Sequence, residues 1–103
     1  MDGNQVELEG FVKRDAVAQR VRNGQAYMDI TLVTKNDKGQ QVFVDVVARN
    51  ELCDQLEDFV EEGEILIVHG HLTWRSWINS SGAHTTRTVV MAEEIETLEE
   101  SYD

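Results

Sequence analysis

The sequence predicts an all-β domain: a small five-stranded Greek-key barrel with one helix between the third and fourth strands. Three observations lead there. Short segments alternate apolar and polar residues with the period of two that a half-buried strand requires. Turn signals such as Asn23-Gly24 and Asn36-Asp37-Lys38-Gly39 separate them. One stretch alone, after Asn50, changes to helical spacing. At 103 residues the chain is long enough for one core and too short for a second domain, so residues 1–103 read as a single unit.

Residues 5–13 form the first strand. Val6, Leu8, Gly10 and Val12 lie on one side, and Gln5, Glu7, Glu9, Phe11 and Lys13 on the other. Gly10 within such a strand predicts the bulge or bend with which a small barrel turns a corner. Residues 14–24 set Arg14, Arg20 and Arg22 around a short apolar group and end at the hairpin signal. The second strand then places Ala26, Met28, Ile30 and Leu32 inside, with Tyr27, Asp29, Thr31 and Val33 outside. Lys35 and Lys38 flank a polar turn, where they either solubilise a hairpin tip or contact phosphates beside a nucleic-acid groove.

The third strand alternates most regularly. Val42, Val44, Val46 and Ala48 share the core parity, leaving Phe43, Asp45, Val47 and Arg49 on the outer face of the barrel. An outward Phe has two readings: it packs under a loop or subunit contact, or it stacks a nucleic-acid base, a contact of about 1–3 kcal/mol. Asn50 is the expected N-cap of a helix whose apolar face is Leu52, Leu56, Phe59 and Val60 and which stops at Gly63. The acids Glu51, Asp54, Glu57, Asp58, Glu61 and Glu62 form its solvated face, or a docking face for a basic partner.

The fourth strand opens on Ile65-Leu66-Ile67-Val68, a run of strand length. Parity then groups Trp77 with Arg75, Thr73, His71 and His69, and groups Trp74 with Leu72, Val68 and Leu66. Trp77 is therefore the better binding candidate and Trp74 the expected lid over the core. A bulge would reverse that assignment locally. His69 and His71 supply two ligands on one face where a metal site needs a third, so no metal is expected. Residues 78–83 form a loop, and a fifth strand over residues 84–92 brings Arg87 beside Trp77. Ile95 and Leu98 then pack before an acidic end.

The formal net charge of −11 looks adverse to binding a polyanion. The distribution of that charge removes the difficulty. Residues 1–50 hold seven acids and seven bases, and residues 65–92 hold Arg75 and Arg87 with no acid. All the excess negative charge sits in residues 51–64 and 93–103. Cys53 stands alone, so an internal disulfide is impossible and a buried thiol is expected. No apolar run approaches a membrane span and no leader precedes the first strand, which predicts a cytoplasmic protein away from membranes. A phosphate-cradling loop, a metal-ligand set and a nucleophile paired with a base are all absent, so the expectation is a binding protein without cofactor rather than an enzyme.

Three strands, a helix and two strands in about 100 residues is the order of the OB-fold, a barrel that commonly binds oligonucleotides. From Val6 to Leu98 run, in order, Val6-x-Leu8-x-Gly10, Asn23-Gly24, Asp29-Ile30-Thr31-Leu32, Val46-Val47, Gly63, Gly70-x-Leu72-x-x-Arg75-x-Trp77, Gly82 and the closing Ala92, Ile95 and Leu98. In that order they resemble the bacterial single-stranded DNA-binding proteins. The resemblance implies base-stacking roles for Phe43 and Trp77 and a basic role for Arg75. With them, Arg49, Trp74, Arg87, Lys35, Lys38, Arg20, Arg22 and Tyr27 complete the candidate contact set. It further implies sequence-tolerant binding of single-stranded DNA in replication, recombination or repair, and replication or repair proteins as partners. A homodimer or homotetramer is implied, with the first strand's Gln5, Glu7 and Glu9 at an edge contact.

One segment and two single positions depart from the pattern. Residues 35–41 carry no aromatic, Arg49 stands where the family has another stacking ring, and Asp45 occupies a position that looks basic in the family. The chain's shortness and acidic ending also resemble the tailless primosomal replication protein n family. The alternative reading is an OB-fold docking module, of the primosome-adaptor type, with weak or no nucleic-acid binding.

Overall fold

Alternation along the chain lays down the wall of a closed barrel. The computed structural model describes residues 3–98, so the acidic end expected at residues 99–103 lies outside the described residues. In chain order the elements are β1 (Val6–Val12), β2 (Ala16–Val17), β3 (Gln19–Arg20), β4 (Ala26–Lys35), β5 (Gln41–Arg49), α1 (Glu51–Gln55), β6 (Phe59–Val60), β7 (Ile65–Ile78) and β8 (His84–Leu98). Hydrogen bonding runs β1-β7-β8-β5-β4, and a second pairing from β4 to β1 closes the ring. The β5–β8 pairing is parallel and the other barrel pairings are antiparallel. Five strands in this order, with the helix between β5 and β7, form an OB-fold.

The expected inward parity builds the core. Val12, Met28, Ile30, Leu32, Val46, Ala48, Leu66, Val68 and Val90 are fully or almost fully buried, with Leu52, Cys53, Leu56 and Val60 closing one end. Gly10 sits where β1 exchanges partners: residues 6–11 pair with β7, and Phe11 and Val12 pair with β4. A Cβ at Gly10 would run into the Val33 carbonyl, so close strand crossing requires glycine there. Gly70 has the same role on β7. The ladder slips between His69 and Gly70, leaving Glu93 of β8 as the extra residue, and a Cβ at Gly70 would meet the Met91 carbonyl.

Several expectations are corrected. The helix ends at Gln55 rather than running to Gly63, because Glu57 and Asp58 take left-handed conformations (φ 58° and 65°) and Phe59–Val60 instead pairs with Ala16–Val17. Asn50 holds the N-cap position, but its side chain makes no capping hydrogen bond to the helix. Its φ of 50° turns the side chain back to β4, where Oδ1 accepts the Ala26 N–H at 3.0 Å. Phe59, expected on the apolar helix face, is exposed as a result. Gly63 (φ 91°) forms the turn into β7 and donates its N–H to the Val12 carbonyl.

Among outward residues, Val33 and Val47 are buried. Val33 lies opposite Phe11 on one side and Phe43 on the other, so two aromatic neighbours cover it on the outer face. Val42, expected in the core, is exposed where β5 projects beyond the barrel. The fifth strand runs to Leu98 rather than residue 92, because the single-residue bulge lets it regain its ladder with the first half of β7. Ile95 packs against the core, whereas Leu98 is exposed at the strand end. Among the described residues no helix is long and apolar enough to cross a membrane.

Candidate functional site

The site arises from a change of surroundings along β7. Strand β8 bonds to β5 at Val90 and Met91, whereas β7 and β8 continue to pair as far as Ile78 and His84. Their distal halves therefore form a two-stranded ribbon with no barrel core beneath it. The ribbon leans over the outer face of β4 and β5, and ion pairs mark the contact. Arg75 lies 3.2 Å from Asp29 and Arg87 2.9 Å from Asp45. Asp29 and Asp45 are diagonal neighbours on that face, since Asp29 pairs with Val47 and Asp45 with Thr31 in one ladder.

Between ribbon and barrel runs a groove with three contiguous hollows. The middle one, about 360 Å³, is lined by Asp29, Asp45, Val47, Arg75, Trp77 and Arg87, among others. A second, about 590 Å³, continues past Val47, Arg75 and Trp77 to Tyr27, Arg49 and Asn50. A third, about 470 Å³, continues in the other direction past Asp45 and Arg87 to Phe43 and Leu72. Trp77 is 40% exposed and separates the first two hollows, with the Arg87 guanidinium 5.9 Å from its ring. Phe43, 56% exposed, carries the Lys13 ammonium 4.0 Å from its ring centroid. Such a track offers aromatic faces at two points and cations beside both, which is the chemistry of a stacking platform for unpaired bases.

The structure brings Phe43, Tyr27, Arg49, Arg75, Trp77 and Arg87 to this groove. The other predicted contacts line none of the groove's three hollows. Lys35 and Lys38 stand at and just beyond the end of β4, at the hairpin tip past Phe43. Arg20 turns to the acidic segment after β5, 2.7 Å from Asp58 and 3.8 Å from Asp54. Arg22 lies in the β3–β4 turn beside Val21 and Asn23. Trp74 is no lid over the core. It is 65% exposed on the ribbon face opposite Trp77 and lines none of the three hollows, because its position on β7 lies beyond the last residue with core beneath it.

Sequence reading missed two features of the groove. Lys13 reaches the Phe43 ring, a contact its outward parity with Phe11 is consistent with. Asp29 and Asp45 were legible as outward residues, but their pairing with arginines 46 and 42 positions away was not. His69 and His71 face Glu7 and Glu93 at 3.8 and 3.7 Å. Cys53 is buried and donates to the Ala48 carbonyl at 3.4 Å; burial, reinforced by the Asp58 carboxylate, pushes its thiol pKa up.

Comparison with known proteins gives the chain's family and relatives. A model of the single-strand binding protein family matches residues 3–98. A single-stranded DNA-binding protein of Halalkalibacterium halodurans is 28% identical over 102 residues, covering 93% of this chain and 61% of the relative. Proteins of the same name from Helicobacter hepaticus and Wolinella succinogenes are each 27% identical over 104 residues, with 93% of this chain and 61% and 64% of the relatives covered. The chain thus spans less than two-thirds of the length of these relatives.

Proposed function

The chain belongs to the single-strand binding protein family, and from that premise we propose that it binds single-stranded DNA, with little sequence preference, along the groove between the ribbon and the β4–β5 wall. The observation that carries this reading is the position of Trp77, half exposed between two hollows with guanidiniums beside it. Bases stack on Trp77 and Phe43, each worth about 1–3 kcal/mol, and Arg49 with the hairpin lysines Lys35 and Lys38 faces the phosphates. Stacking uses the face that every base has, so the groove accepts strands of any sequence.

The role is binding rather than catalysis, in DNA replication, recombination or repair, on a cytoplasmic chain that reads as a single OB-fold domain. Self-association to a homodimer or homotetramer is part of this reading. Strand β1 pairs with β4 at Phe11 and Val12, which leaves its outer edge around Val6 to Leu8 open to a second copy. Sedimentation tests this: a monomer at all concentrations rejects it. The docking-module alternative is less well supported, because two of the acids it would use, Asp54 and Asp58, already engage Arg20.

Retention of labelled oligothymidine, compared with a duplex of equal length at low salt, tests the main proposal. Preferential retention of the single strand supports it. Absence of retention of either ligand at low salt rejects it.

A further inference from the structure

We propose that Asp29 and Asp45 are specificity-determining residues that keep phosphates out of the middle hollow by occupying its two guanidiniums. This inference rests on the single-strand reading above. The middle hollow contains two cations and two anions, each cation already matched: Arg75 with Asp29 at 3.2 Å and Arg87 with Asp45 at 2.9 Å. The neighbouring hollow contains Arg49, for which no acidic partner lies within ion-pair distance among the described residues. The two parts of one groove thus differ in what they offer a polyanion.

A carboxylate presents to a guanidinium the same planar pair of acceptors that a phosphate does. Asp29 and Asp45 therefore act as fixed competitors, held on the barrel wall at zero entropic cost of association. Phosphate contact with Arg75 or Arg87 requires expelling a carboxylate that remains next to the incoming negative charge. The bases consequently enter the middle hollow against Trp77, and the backbone neutralises charge chiefly at Arg49 and the hairpin lysines. All four side chains of the two pairs are more than a third exposed, so as folding contacts the pairs contribute little, and removing either acid leaves the fold intact.

The test compares oligothymidine affinity across a salt series for the wild type, Asp29→Asn, Asp45→Asn and the double variant, with Glu61→Gln as a control that makes the same change in net charge at a remote exposed site. Each freed guanidinium gains about one phosphate contact, which steepens the slope of log affinity against log salt by about 0.7. If variant and wild type converge at 1 M salt, that slope corresponds to roughly eightfold tighter binding at 0.05 M. The expected result is this increase in each single variant, larger in the double variant and much smaller in Glu61→Gln. Wild-type affinity and slope unchanged in the Asn variants, or an increase matched by Glu61→Gln, overturns the inference while leaving the single-strand reading standing. Weaker binding in the Asn variants also overturns it and assigns the acids to holding the arginines in place. No binding by any of the proteins defeats both readings.

Discussion

The two hollows on either side of Trp77 share Val47, Arg75 and the indole itself, yet one is internally neutralised and the other is not. Around Arg75 and Arg87 each positive charge faces a carboxylate at 2.9–3.2 Å; around Arg49 the neighbours are Tyr27, Val21, Gln25 and Asn50. The difference bears on how a chain of net charge −11 would hold a polyanion in the proposed groove. Affinity for a polyanion depends on which cations remain available, so counting arginines in a groove overstates its positive field unless their partners are counted too.

The largest effect is expected where both hollows are damaged together. Gly70 lets β7 pass close to the Met91 carbonyl at the bulge from which the ribbon continues, and Gly70→Ala places a methyl group against that carbonyl. Overpacking of that kind costs about 1–3 kcal/mol or more, and chemical denaturation should register a loss at or above the top of that range. A loss below about 1 kcal/mol would mean that the ribbon's position does not depend on that close approach.

Arginine substitutions sharpen the contrast itself. Arg49→Ala should make the salt slope of oligonucleotide binding shallower by about 0.7, the signature of one lost phosphate contact. Arg75→Ala should leave the slope close to that of the wild type, since its guanidinium contacts Asp29 rather than the ligand. Equal slopes for the two variants would erase the distinction between the hollows.

The smallest effect lies away from the groove. Because burial raises the Cys53 pKa, the folded chain keeps its thiol protonated where the unfolded chain releases the proton. The thiol's contribution to stability is therefore complete below the ordinary thiol value of about 8.5 and is lost as pH rises through the raised value. Thiol reagents should label Cys53 only on unfolding, and denaturation midpoints should fall modestly above that pH in the wild type but not in Cys53→Ala. Rapid labelling of the native protein would contradict the burial on which this rests.

Most of the barrel was legible because alternation reports the inward face wherever a core lies beneath the strand. Met28, Ile30, Leu32, Val46 and Ala48 follow the rule throughout. The rule fails where what lies beneath changes. On β7 the same parity that buries Leu66 and Val68 exposes Leu72 and Trp74, since the ribbon has left the core behind. Val33 and Val47 fail in the opposite sense, covered from outside by Phe11 and Phe43 in one case and by the ribbon in the other. The helix was over-extended because residues 56–60 satisfy apolar spacing either as a helix or as a turn followed by the Phe59–Val60 bridge, and pairing with Ala16–Val17, distant in sequence, decides between them. Of the candidate site, the aromatics and Arg75, Arg87 and Arg49 were accessible from parity. Arg20 was misplaced because its partners Asp54 and Asp58 come from another part of the chain.

The most direct test of the groove as the binding site uses the two tryptophans as separate reporters. Trp74→Ala leaves Trp77 in the groove as the sole indole, and Trp77→Ala leaves Trp74 on the opposite face of the ribbon. Titrated with oligothymidine at low salt, the Trp74→Ala protein should be strongly quenched and retain close to wild-type affinity. The Trp77→Ala protein should show little quenching and an affinity lower by about one to two orders of magnitude, as expected for loss of one stacking platform. Strong quenching of Trp74 in the Trp77→Ala protein, with affinity preserved, would place the strand on the other face of the ribbon and contradict the account.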